Sequence, residues 1–195
     1  MIDLIDEAMS TAERVQRRQL IRAAEGYLDL IMAFDDCWPL EIELRQRLAS
    51  QACESLDKIE APLGHKAYIL FLKGQCARTC CEYQTAVSHL QQSAQLDPEN
   101  IHTFLALGWC YKRMDRTDLA IEAMETAIQI DNGSAIAHYN LACYWALAHQ
   151  VKMAILHLSN AFELNPDYRS FVEVEPDFDG IRQDPDFINS LGMIA

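Results

Sequence analysis

Cationic side chains, glycine and proline are all scarce in this sequence, and each scarcity removes a class of answer. Sixteen lysines and arginines stand against 29 aspartates and glutamates, a formal charge of -13 with a sequence pI near 4.7. Nucleic acid and anionic membranes both demand a cationic face, so neither is expected as the main partner. The one basic cluster, Arg14, Arg17, Arg18 and Arg22, spreads over much of a helix surface and reads as a solvated face. The seven glycines and six prolines sit mostly between apolar-periodic stretches, which leaves long helices. No apolar run approaches the roughly 20 residues that a bilayer requires. The opening Met-Ile-Asp-Leu-Ile-Asp-Glu lacks the basic segment of a secretory signal. Cysteine is odd in number, and Cys37, Cys53, Cys76, Cys80, Cys81, Cys110 and Cys143 are scattered through helical patterns. Together these features predict a soluble protein of a reducing cytoplasm.

Catalytic signatures are missing too. There is no Gly-x-Ser-x-Gly, no phosphate-cradling glycine loop and no His-Glu-x-x-His. The six histidines scatter, with His89 and His157 at positions suited to partly exposed packing, and Asp35-Asp36 reads as a polar loop before Pro39. No enzymatic activity and no cofactor are expected.

What is present is a repeat. Gly74 and Gly108 are 34 residues apart, as are Ala86 and Ala120, and a further step of 34 reaches Ala142 and Ala154. Leu96-Asp97-Pro98, Ile130-Asp131-Asn132 and Leu164-Asn165-Pro166 keep the same spacing. Three repeats result, 67–100, 101–134 and 135–168. Each holds two amphipathic stretches joined by a short polar link, Cys81-Glu82, Asp115-Arg116 and His149-Gln150, and reads as a helix-turn-helix. Small residues at one phase allow close helix approach, where a larger side chain overpacks by ~1–3 kcal/mol. One such hairpin cannot cover its own apolar stripe, so stability comes from stacking neighbours.

The segment Phe104, Leu107-Gly108, Tyr111, Ala120 and Ala127 resembles the signature of the tetratricopeptide repeat (TPR) family. The third repeat keeps Leu141, Ala142, Trp145, Ala154, Ala161 and Pro166 but has His138 in the first aromatic place. The first departs most, with Lys73 where the family puts leucine and Ala77 where it puts an aromatic. The resemblance implies an all-α fold, a right-handed superhelical stack of antiparallel helix pairs.

Flanking segments complete the expected organisation. Residues 1–64 read as a divergent, lengthened TPR-like hairpin, one helix within 3–35 and a second about 39–60, opened by Pro39 and closed at Pro62 and Gly64. Residues 65–168 carry the three repeats. Residues 169–195 form a capping segment, in which Glu175-Pro176-Asp177-Phe178 and Asp184-Pro185-Asp186-Phe187 each set an acid before proline, as at a helix N-terminus. Phe178, Phe187 and Leu191 are expected to cover the last apolar stripe.

In TPR arrays the first helices line a concave groove, and on this sequence its rows are Tyr68, Phe71, Gln75 and Arg78, then His102, Leu105, Trp109 and Lys112, then Ile136, Tyr139 and Cys143. Aromatics with flanking cations suit a peptide or helix with apolar and acidic side chains. Trp109 is the first choice for a contact. The family's carboxylate clamp is not carried over, because only Asn140 matches it. A protein or peptide partner and an adaptor or assembly role follow. A small chaperone of the type III secretion class and a self-assembling homo-oligomeric unit are the alternatives. Two metal mimics read better as structure: Cys76, Cys80 and Cys110 as small buried residues, and Glu175-x-Asp177-x-Asp179-Gly180 with Asp186 as a capping turn in place of a calcium loop.

Overall fold

The computed structural model describes residues 10–33, 40–59 and 63–193, and every regular element among them is helical. Asp35, Asp36, Cys37, Pro39 and Pro62, named above, lie outside the described residues. The chain divides into two compact units, 1–99 and 100–195, so the boundary falls between the first and second 34-residue repeats.

The N-terminal unit holds α1 (Thr11–Ala33), α2 (Ile42–Asp57), α3 (Leu63–Thr79) and α4 (Tyr83–Leu96). Ser-x-x-Glu opens α1 as a capping box: the Glu13 backbone N–H donates to Ser10 Oγ at 3.3 Å, and Ser10 N–H donates to Glu13 Oε2 at 2.7 Å. The apolar stripe read from the sequence is buried. Ala24 and Leu28 of α1 meet Ala52 and Leu56 of α2 and Ile69, Leu72 and Cys76 of α3 in one core. Gly64 does not close the second helix as expected but lies in the first turn of α3, because α2 already ends at Asp57. Lys73, the departure from the family pattern, reaches back to Asp57 at 2.5 Å and so keeps its charge at the edge of the core.

The C-terminal unit holds α5 (Ile101–Arg113), α6 (Thr117–Ile130), α7 (Ala135–Leu147) and α8 (Val151–Leu164). A 3-10 turn (Pro166–Tyr168), α9 (Arg169–Val172), a second 3-10 turn (Pro176–Phe178) and α10 (Pro185–Met193) follow.

The polar links are built alike in all three repeats. Cys81, Asp115 and His149 adopt φ of 61°, 56° and 56°, the left-handed region, without being glycine. Each sits one residue before a donor that reaches back five positions: Glu82 to Ala77, Arg116 to Tyr111 and Gln150 to Trp145, all at 2.9 Å. That pair of features is the Schellman closure, which satisfies the last carbonyls of the first helix and reverses the chain. The glycines supply the close approach the spacing implied. A Cβ on Gly74 would lie 2.6 Å from Leu90 Cγ, and one on Gly108 would lie 2.6 Å from Met124 Cε.

The tail folds as the acid-proline phrases predict. Glu175 accepts from the Asp177 N–H at 3.3 Å, and Asp184 Oδ1 accepts from the Asp186 N–H at 2.9 Å. Phe178 and Phe187 are fully buried and stack at 5.6 Å. The second 3-10 turn packs on α7 and α10 packs on α8, so the tail covers the outer hairpin. Leu191 is half-buried there.

Candidate functional site

Within the N-terminal unit, α1 and α3 are first helices of successive hairpins, and Tyr68 Oη donates to Glu25 Oε1 at 2.6 Å across them. Beside this bond opens a cavity of about 170 Å³. Tyr68, Phe71, Leu72, Gln75, Arg78 and Thr79 of α3 form one wall, and Glu25, Leu28, Asp29 and Met32 of α1 form the other. The whole first row of the expected groove therefore lies on one cavity. The Tyr68 and Phe71 rings run nearly parallel, 6.2 Å apart with 21° between their planes. Burial, then the bond to Glu25 and the charges of Glu25 and Asp29, push the Tyr68 phenol up to about 12, so it stays a neutral donor. Gln75 Oε1 is buried with no hydrogen-bond partner.

The α1 wall was not legible as part of the groove. Glu25 precedes Tyr68 by 43 residues, not 34, because the first hairpin is longer: α1 has 23 residues where α5 and α7 have 13. Reading residues 3–60 as a divergent hairpin was the available signal, since it makes α1 another first helix.

In the C-terminal unit the second and third rows come together on α5 and α7, where Gly108 lies against Tyr144. His102 and Ile136 are exposed, and Leu105 and Trp109 are half-buried, with the Arg113 guanidinium 5.8 Å from the Trp109 ring centre. The rest of these rows is not open. Tyr139 and Cys143 are 6% and 3% exposed, a correction to the expectation of a free groove there. The tail covers this part: Tyr139 packs at 4.8 Å on Tyr168 and at 6.0 Å, edge-on, on Phe178, and Lys112 pairs with Asp177. The segment after α8 is a run of short turns and helices, and its apolar side chains seat on α7. Burial raises Tyr139 and Cys143 well above their ordinary pKa values, with Cys143 raised further by Asp177 and Glu175.

Several of the other chemistry-bearing groups are engaged in structure. Cys76 is buried, and burial pushes its thiol up to about 12, far from the thiolate that nucleophilic or metal chemistry requires. Cys110 belongs to the other unit. In the calcium-loop mimic, Glu175 caps a turn, Asp177 holds Lys112 and Asp179 holds Arg182 at 2.9 Å. Among the described residues no group of three or more histidine, cysteine, aspartate or glutamate side chains is placed to hold a metal, and no helix is long and apolar enough to cross a membrane. His138 and His157, 19 positions apart, meet through Nδ1 atoms at 3.1 Å, a contact the repeat spacing did not foretell.

Residues 82–142 match the sequence model of the tetratricopeptide repeat. No curated protein matches the sequence. Solved structures do match in fold: one of MamA, at 22% identity and a TM-score of 0.57, covers 75% of this chain and 89% of that one. YrrB, described as a TPR protein with an unusual peptide-binding site, aligns at 17% identity and 0.55 over 68% of this chain and 65% of that one. The first TPR of Spaghetti (RPAP3), bound to HSP90 peptide SRMEEVD, aligns at 17% and 0.52 over 67% and 90%. At these identities the likeness is one of fold.

Proposed function

We propose that this chain, which matches the tetratricopeptide-repeat model over residues 82–142 and shares the fold of solved TPR structures, serves as an adaptor or assembly factor that holds a peptide or helix of a partner protein and performs no chemistry of its own. The observation that carries this reading is the cavity between α1 and α3. It is concave, walled by two parallel aromatic rings and aliphatic side chains, and supplied with a few polar groups, which is the composition of a recognition pocket. Two of the solved structures of like fold are described with a peptide or a peptide-binding site, which supports the proposal here.

The binding surface we assign comprises Tyr68, Phe71, Gln75 and Arg78 in the N-terminal unit. A separate surface in the C-terminal unit comprises His102, Leu105, Trp109 and Ile136, the part of the expected rows that the tail leaves uncovered. Lys112, Tyr139 and Cys143 are assigned to the tail contact instead. Affinity capture with the wild type, Tyr68→Ala and Trp109→Ala tests this. Each half-exposed anchor should lower partner recovery about tenfold or more, as hot-spot aromatics do, with unchanged circular dichroism. Full retention of every partner by both variants would show that the adaptor face lies elsewhere.

A further inference from the structure

The cavity between α1 and α3 carries information about the sign of its guest. The sequence alone suggested an acidic guest, because the groove rows in view carried aromatics flanked by the cations Arg78 and Lys112. The structure adds the α1 wall, and with it two carboxylates, Glu25 and Asp29.

We propose that this cavity takes a basic side chain, arginine or lysine, with an aliphatic neighbour, from the partner's peptide; this rests on the adaptor reading and names its ligand chemistry. Three features converge on a cation, and a fourth sets its size. The stacked faces of Tyr68 and Phe71 attract positive charge over an apolar stem. Glu25 has one carboxylate oxygen on Tyr68 Oη and a second to offer, and Asp29 stands one helical turn beyond. Gln75 Oε1 is buried without a donor, and the N–H groups of a basic side chain can supply one. The volume of about 170 Å³ suits one side chain, well below the several hundred Å³ of a drug-sized ligand site.

A glutamate guest would meet two like charges and leave the Gln75 acceptor unpaired. Arg78 does not reverse this. It lines the far end of the same cavity, one turn past Gln75, and its single positive charge against Glu25 and Asp29 leaves the lining at a formal net of -1. The formal charge of -13 on the whole chain steers cationic segments toward the protein in the same sense.

Three acetylated and amidated heptapeptides, Ala-Ala-Leu-X-Leu-Ala-Ala with X as arginine, glutamine or glutamate, provide the probe. They are titrated into the full chain while the ring NMR signals of Tyr68 and Phe71 are followed. The arginine peptide should bind about tenfold more tightly than the glutamate peptide, weaken with added salt, and lose its preference in the Glu25→Gln, Asp29→Asn double variant. Glutamine at position 25 can still accept from Tyr68, so the fold is kept, which circular dichroism verifies. Equal or tighter binding of the glutamate peptide with movement of the same ring signals overturns the charge assignment and leaves the adaptor reading standing. An arginine preference that survives in the double variant also overturns the assignment. Ring signals that none of the three peptides moves remove the cavity as a binding site and overturn the charge assignment, while the adaptor reading is decided by the capture with Tyr68→Ala and Trp109→Ala.

Discussion

Gly74 and Gly108 stand at the same phase of their repeats, yet alanine should be tolerated at one and resisted at the other. A methyl at either position arrives 2.6 Å from a side-chain carbon, well inside van der Waals contact. At Gly74 that carbon is Leu90 Cγ, a branch point with Leu90 Cδ2 at 2.7 Å, on a side chain with no exposed surface. At Gly108 it is Met124 Cε, the tip of an unbranched chain with three rotatable bonds. Overpacking costs ~1–3 kcal/mol where the neighbour cannot yield and little where it can. Against this, alanine in place of a helical glycine returns about 0.8–1 kcal/mol. Gly74→Ala should therefore lose up to about 2 kcal/mol, and Gly108→Ala should fall between neutral and a gain of about 0.5 kcal/mol. For a chain of this length that is a drop of up to roughly 4–8 °C in Tm for the first and almost none for the second. Thermal unfolding followed by circular dichroism reads the difference. Adding Leu90→Ala to Gly74→Ala should cost less than the two single changes summed, because the cavity left by leucine admits the methyl. The reverse order of the two alanine variants, or strict additivity at 74 and 90, would refute the packing argument.

Three further outcomes follow from the geometry. Cys81 is exposed and left-handed at φ 61°, so Cys81→Gly should gain up to about 1 kcal/mol and Cys81→Val should lose at least as much, both read from Tm. Phe178→Ala removes a fully buried ring and should cost about 3–5 kcal/mol, visible as faster amide exchange across residues 169–193 and a newly exposed Tyr139. Burial and the neighbouring His138 lower His157 from 6.5 to about 4. The unfolded chain then takes up a proton below pH 6.5 that the folded chain refuses, so this contribution to stability is complete above pH 6.5 and lost as pH falls toward 4. His157→Gln should flatten that part of the stability profile, and an identical slope in the variant would exclude the pair as its source.

Repeat spacing made most of the architecture legible, because close helix approach demands a small residue at one phase and chain reversal recurs at another. Gly74, Gly108 and the three left-handed links are such demands, and they recur every 34 positions. The acid-proline phrases were equally readable, since a helix start needs an acceptor before the first turn. Groove membership was legible only in part. Periodicity says which residues a first helix turns inward, and that placed Tyr68, Phe71, Gln75 and Arg78 together. It does not say what packs over them. The Lys112–Asp177 and Tyr139–Phe178 contacts join residues 65 and 39 positions apart through a tail with no repeat, and Glu25 meets Tyr68 across a hairpin of irregular length. Lys73 looked like a defect until Asp57 supplied its counter-charge.

The fully buried pair Phe178 and Phe187 sets a stop on the polymer-like logic of hairpin stacking. An array of this kind grows by offering its last apolar edge to the next module, whether on the same chain or on another molecule. Here that edge is already plugged, so splicing extra modules after position 168 would first require deleting the plug, and a chain cut there would be left with a sticky end.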